Sequence, residues 1–415
     1  MRVMIVSDCL DEIGGAEISS KKLVNALAEQ QEIEKIIWIG VQYGNRLPAV
    51  NSSKVQLIPI KNAKTKLIKT LRKRFELAED IVVPKLLAKK IKENENNADV
   101  IHAQQVRSAI ALKLSNSALP NVITVRDYWP VCAFRGLVIA DKDCSGCSAE
   151  NKKECIKAKL PNAPFPIRAL AAWYLKKKGS LYTAAFGASK NFIWNSKALQ
   201  HKLNQGDGRV IHPCFGFEKS APKIENLERP AIVFAGKLLP AKGVRYLLFG
   251  MQAVLRKNSA AMLYIFGDGS LRNNLTAMAE KLGIASNVKF MGAVPNDEMP
   301  QYFSAADIIV LPSVWQEPFS RVVIEAMALG KAIIATKTGG SVEAISNGSN
   351  GVLVKPKNSK EIADAINYLL ENPKEAARLG KNASQFAARN FSGKAVAKKH
   401  LQFYKEIIES SASSQ

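Results

Sequence analysis

The 415-residue sequence predicts an α/β protein of two similar domains, each built on a parallel sheet. Three observations lead there. Short apolar runs rich in β-branched residues alternate with longer amphipathic segments, the rhythm of βαβ units and of a sheet covered on both faces. That rhythm breaks near the middle of the chain and then restarts. The length, at roughly 100–200 residues per domain, suits two or three domains better than one. A composition of 47% hydrophobic and 23% charged residues is ordinary for a globular chain, and it excludes collagen, coiled coil or wholesale disorder.

Taken in order, the strand-like runs are residues 3–6, 36–39, 100–101 and 122–125 in the first half, then 231–235, 262–266, 288–291, 308–311 and 332–335. Helical patterns such as 18–28 and 322–329 lie between them. Asn204-Gln-Gly-Asp-Gly208 and the polar stretch 218–230, with Pro222 and Pro230, interrupt the alternation. The first domain is therefore expected over residues 1–214, with a cysteine-rich insertion near 130–160. The second is expected over 215–392. The serine-rich end, residues 410–415, reads as a frayed tail.

Fifty-nine Lys and Arg against 36 Asp and Glu give a net charge of +23, which calls for something anionic: phosphorylated small molecules, lipid headgroups or nucleic acid. The charge is concentrated. Residues 61–92 carry eleven basic and three acidic side chains, and 152–178 carry eight and one. In the first stretch Leu67, Ile68, Leu71, Phe75 and Leu77 interleave with Lys66, Lys69, Arg72, Lys73 and Arg74, a pattern suited either to an anionic bilayer or to a solvated helix packed on its own domain. Nucleic acid is disfavoured, because no aromatic-studded strand or helix-turn-helix accompanies the charge. No apolar run approaches the roughly 18 residues that span a bilayer. An acidic residue at Asp8 comes too early for a secretory leader, so the expectation is a cytoplasmic chain that can rest on a membrane.

Three segments carry chemistry. Gly14-Gly15-Ala16-Glu17 follows the first strand and opens a helix, so a ligand can approach backbone at a helix amino end. After the strand 231–235, Lys237 and Lys242 flank a tight loop and can converge on one diphosphate. In Glu317-Pro-Phe-Ser-Arg-Val-Val-Ile-Glu325-Ala-Met-Ala-Leu-Gly330, Pro318 keeps Glu317 extended. Ser320 is the expected N-cap, and Gly330 ends the helix. The free N–H groups of that helix form an anion site. Glu325 leans back towards it from one turn inside. Two carboxylates around a phosphate suit a ligand with hydroxyls at both ends, such as a nucleoside diphosphate sugar.

Glu317 and Glu325, with seven residues between them, resemble the E-x7-E signature of retaining glycosyltransferases of family 4. Gly267-Asp-Gly269, Gly339-Gly340-Ser-Val-Glu343, Asn350-Gly351 and Gly14-Gly15-Ala16-Glu17 stand where that family has its matching pieces. The resemblance implies a GT-B fold of two Rossmann-like domains across a cleft, with a last helix, residues 393–415, crossing back to the first domain. It implies that Glu325 holds the donor ribose, Lys237 and Lys242 the diphosphate, and Glu317 the transferred sugar. The amides of Ser320, Arg321 and Val322 would add to the phosphate grip. In the first domain it implies His102 and Asp127 as catalytic or acceptor-orienting residues. There the sequence departs from the family pattern, with Gln104 and Arg126 where histidines are common.

Asp141-Lys-Asp143 is a D-x-D but lies far from any phosphate loop and reads as turn chemistry. No cofactor is then required for catalysis, and lysines and helix amides must neutralise the leaving group. Cys144-Ser-Gly-Cys147 has the spacing of a zinc knuckle, which Cys132 and Cys155 could complete as a structural site. Free thiols are the alternative. The function expected is retaining transfer of a hexosyl group from a nucleoside diphosphate sugar to a lipid-linked or saccharide acceptor, in surface polysaccharide or glycolipid assembly. A nucleotide-sugar 2-epimerase and a non-catalytic nucleotide-sugar-binding subunit remain open alternatives.

Overall fold

The computed structural model describes every residue except 12–13, 45–46, 51, 62–75, 140–141, 204–207, 217–226 and 414–415, and the side chains of 76–78 and 142–143 are likewise outside the description. The interleaved basic run from Lys66 to Phe75 and the first residue of the D-x-D therefore lie outside the described residues. The chain divides into two compact units, Met1–Cys214 with Gly393–Gln415, and Phe215–Ser392.

In the first unit, β1 (Arg2–Cys9), β2 (Lys35–Val41), β3 (Val55–Ile60), β4 (Val100–Ala103) and β5 (Asn121–Val125) lie in a parallel sheet. A short antiparallel hairpin, β6 (Val138–Ile139) with β7 (Lys142–Asp143), precedes the last two strands, β8 (Phe192–Trp194) and β9 (Arg209–Val210). The seven-stranded order is β3-β2-β1-β4-β5-β8-β9, so the winding direction reverses between β1 and β4. Val3, Ile5, Ile36, Val100 and Val122 form one apolar face, continued by Leu23, Val24 and Leu27 of the helix Gly15–Ala28. The helix Gly393–Ala412 packs on that helix and adds Val396, Leu401 and Tyr404 to the same core.

On the other face the helices Glu76–Asn94, Val106–Ser115 and Phe165–Phe186 stack on one another. Buried ions hold them. The Arg107 guanidinium donates to Asp80 Oδ1 at 2.7 Å and to Glu79 Oε2 at 3.0 Å, while Tyr182 OH donates to Asp80 Oδ2 at 3.1 Å and Lys178 Nζ stands 3.6 Å from it. Removing one partner would leave a bare buried charge, so the cluster fixes which side of each helix faces inward.

The second unit contains β10 (Ala231–Ala235), β11 (Met262–Phe266), β12 (Val288–Gly292), β13 (Ile308–Leu311), β14 (Ala332–Thr336) and β15 (Val352–Val354) in the parallel order β12-β11-β10-β13-β14-β15. Successive residues of β10 enter opposite cores: Ile232 joins Leu263, Ile265, Ile308 and Ile334, whereas Val233 joins Tyr264, Ile309 and Ile333. A continuous apolar run is what a strand covered on both faces requires. Here the winding reverses between β10 and β13, and ligands of open α/β sheets bind beyond the carboxyl ends of strands at such a point.

Candidate functional site

The loops leaving β10, β13 and β14 meet at that reversal. Gly243 closes the first loop with φ +66°, and a Cβ there would stand 2.0 Å from the Pro312 carbonyl oxygen. The loop can therefore lie directly on the one after β13, and Val314 N–H donates to Ala241 O at 2.9 Å. This seating brings Lys242 to Glu317, with Nζ donating to Oε1 at 2.6 Å, and Ser313 Oγ donates to Oε2 at 3.1 Å. From the third loop, Gly339 has φ +50° and its Cβ position is 2.0 Å from Glu317 O, so only glycine allows the approach. Gly340 N–H donates to Glu317 O at 2.8 Å, and Gly339 N–H to Gln316 Oε1 at 2.9 Å. Glu317 is thus positioned by three loops, and Lys237 remains exposed on the first of them.

The helix Arg321–Ala328 begins immediately after this loop, and Gly330 ends it with φ +68°. Ser320 occupies the N-cap position, but its hydroxyl makes no cap hydrogen bond, which corrects the expectation of side-chain capping. The first N–H groups, those of Arg321 and Val322 among them, are thereby left to an incoming acceptor. Glu325 is buried within the helix and accepts a hydrogen bond from Arg321 Nη2, one turn earlier. Its carboxylate is engaged by this guanidinium, a pairing the sequence reading did not foresee.

In the first unit Gly14 is the N-cap residue of the helix Gly15–Ala28 and has extended backbone, φ −147°, that any residue can adopt. Its Cβ position is 2.8 Å from Glu17 Oε2, and Glu17 Oε1 accepts from Gln105 Nε2 at 2.7 Å. Asp8 accepts the N–H groups of Ser108 and Arg107 at 2.7 and 3.1 Å and so caps the helix Val106–Ser115. Asp127 accepts from Trp129 N–H at 2.9 Å, and desolvation raises its carboxyl above the usual range.

His102 is the clearest correction. It is fully buried, with Nδ1 at 2.6 Å from Tyr404 OH and Nε2 at 2.6 Å from Thr124 Oγ1, so neither ring nitrogen is left for a sugar. Desolvation, with the nearby His400 and Arg126, holds it well below the usual imidazole range and therefore neutral. The residue ties β4 to β5 and to the final helix. Beside it, the two departures from the family pattern pair with each other: Arg126 Nη2 donates to Gln104 Oε1, and Arg126 Nε donates to Gln104 O at 3.1 Å.

Cys132, Cys144, Cys147 and Cys155, separated in sequence, line one small cavity of about 20 Å³. Cys144 Sγ accepts from Gly146 N–H at 3.4 Å, and the Cys155 thiol is pushed up by burial and by the other thiols. All four are free. Among the described residues, no three His, Cys, Asp or Glu side chains are gathered closely enough to hold a metal ion.

Residues 217–386 match the family described as Glycosyl transferases group 1. Over 178 residues the chain is 33% identical to an uncharacterized glycosyltransferase of Methanocaldococcus jannaschii, covering 43% of this chain and 45% of that one. It is 28% identical over 180 residues to the alpha-D-kanosaminyltransferase of Streptomyces kanamyceticus, covering 43% and 46%. The matches thus span about half the length of these relatives. Sucrose-phosphate synthase from Thermosynechococcus elongatus superposes with a TM-score of 0.68 at 19% identity over 99% of both chains. Anabaena HepE in complex with UDP and glucose does so with a TM-score of 0.66 at 18% identity, over 98% of this chain and 100% of that one. The fold is GT-B.

Proposed function

Residues 217–386 match the glycosyl transferases group 1 family, and from that match we propose that the chain transfers a hexosyl group from a nucleoside diphosphate sugar to an acceptor hydroxyl, with retained anomeric configuration. The observation that carries the reading is the Lys242–Glu317 pair, set at the sheet's reversal beside a helix amino end that no side chain caps. The diphosphate lies against Lys242, Lys237 and the amides of Ser320, Arg321 and Val322, where cationic donors neutralise the leaving group as it departs. Glu317 holds hydroxyls of the transferred sugar, and Glu325 those of the ribose. The neighbour crystallised with UDP and glucose supports a nucleoside diphosphate donor. Acceptors in surface polysaccharide or glycolipid assembly fit relatives such as the phosphatidylinositol monomannoside mannosyltransferase of Mycobacterium tuberculosis.

A nucleotide-sugar-binding subunit without turnover is the second reading. It is favoured by one observation, that Arg126 donates to Gln104 where the family pattern has histidines. Incubation with a panel of nucleotide sugars separates these readings: release of nucleoside diphosphate supports transfer, binding without release supports the subunit, and inversion at C2 of the sugar supports epimerisation.

A further inference from the structure

The helix Phe165–Phe186 is apolar on more sides than its own unit can cover. Leu175, Lys178, Tyr182 and Ala185 face inward, and the Asp80 ion cluster locks that orientation. Pro166, Leu170, Trp173 and Lys177 are spaced at i, i+4, i+7 and i+11, so they form one stripe on another side. Phe165 is 82% exposed, Leu170 62% and Trp173 53%. Soluble surfaces seldom leave large apolar side chains contiguous, and a helix apolar around its circumference is normally covered by something.

The charge around the stripe selects the cover. Residues 152–178 carry eight basic side chains against Glu154 alone. Lys153, Lys157 and Lys159 of the neighbouring helix Ala149–Lys159 are exposed, as are Lys176 and Lys177. A second copy docked face to face would oppose like charges, whereas anionic headgroups would neutralise them. Exposed Trp and Phe beside lysines is the composition that settles at a headgroup boundary. We propose that this face, Phe165, Leu170 and Trp173 with Lys176 and Lys177, seats the first unit on an anionic lipid surface.

Co-sedimentation with vesicles of phosphatidylcholine alone, and of phosphatidylcholine mixed with phosphatidylglycerol, tests the assignment without any sugar donor. Its outcome is therefore separate from that of the transferase reading. The wild-type chain should pellet with the anionic vesicles only, and Trp173 fluorescence should shift to the blue. Leu170→Glu with Trp173→Glu, both at exposed positions, should lower the partition coefficient at least tenfold with unchanged circular dichroism. Lys176→Gln with Lys177→Gln should lower it while raising sensitivity to salt less than in wild type. Undiminished binding by the double glutamate variant would overturn the proposal. So would equal recovery in the supernatant with both vesicle types, or sedimentation that depends on protein concentration and not on lipid, which would assign the face to a second copy.

Discussion

The Lys242–Glu317 pair makes a prediction that a simple list of contacts would not. At 2.6 Å and an effective dielectric of about 20, the two charges attract by roughly 6 kcal/mol before desolvation is subtracted. Their side chains are 23% and 12% exposed, so much of that attraction is returned as lost hydration, and a net of about 1.5–3 kcal/mol is the reasonable figure for one charge-assisted contact. Lys242→Ala therefore acts twice on diphosphate binding. It removes a cation, and it leaves the Glu317 carboxylate uncompensated beside the incoming anion. Affinity should fall by roughly ten- to a hundredfold. Glu317→Ala frees Lys242 and should leave affinity for the nucleoside diphosphate equal or tighter, while turnover with the intact sugar donor falls at least about tenfold. The double variant should then bind the diphosphate better than Lys242→Ala alone. Titration calorimetry, with the nucleoside diphosphate that most raises the melting temperature of the wild-type protein, measures all four corners of the cycle. If the double variant binds no better than Lys242→Ala, or if Glu317→Ala weakens the diphosphate as much as Lys242→Ala does, the carboxylate is not at the phosphate and the assignment fails.

Glu325→Gln keeps the shape of the buried side chain but loses the charge that Arg321 engages, so donor affinity should drop several-fold in the same titration, and an unchanged value would remove the helix Arg321–Ala328 from the nucleotide. Gly243→Val requires φ near +66° in a β-branched residue and places atoms on the Pro312 carbonyl; it should cost the second unit more than about 1 kcal/mol in urea unfolding and abolish the Lys242–Glu317 contact. Burial lowers His400 to about 4 and His102 well below its usual value, so the unfolded chain takes up protons first; stability is complete above about pH 6.5 and is lost as pH falls towards 4, by up to about 3 kcal/mol for His400 alone. The raised Asp8 and Asp127 carboxyls act in the opposite sense, so the check is that His400→Gln shows a smaller acid loss, followed by the buried Trp38, Trp129 and Trp194. The four thiols share one cavity without being gathered to metal-ligand distance, so purified protein is expected to carry no stoichiometric zinc by elemental analysis; about one zinc per chain, lost in Cys144→Ser, would overturn that and assign a structural site.

How much of this was legible in the sequence depends on the length of each signal. All nine apolar runs read as strands are strands, because a strand covered on both faces must be apolar throughout. β3, β6, β7, β8, β9 and β15 escaped, the first an edge strand containing Pro59 and the others only two or three residues long. Motif spacing placed Lys242, Glu317 and the helix amino end together, since they sit on loops after adjacent strands. It could not show that Arg321 turns back onto Glu325, or that Ser320 leaves its helix uncapped, because both depend on rotamers. Whether His102 meets a ligand or packs at the strand end could not be read from the sequence for a similar reason: its partners are Thr124, 22 residues away, and Tyr404, 302 residues away on the final helix.

The two sheets reverse direction in the same way, yet their side chains make the two reversal points chemically unlike. In the first unit Asp8 already caps the helix Val106–Ser115, and Glu17 stands at the amino end of the helix Gly15–Ala28 in a hydrogen bond with Gln105. A phosphate entering there would meet two carboxylates. In the second unit the corresponding positive end is uncapped, and Lys242 and the exposed Lys237 lie on the adjacent loop. An anion discriminates between the two sites by several such contacts at once. An incoming diphosphate would therefore be favoured at the reversal point of the second unit and opposed at that of the first.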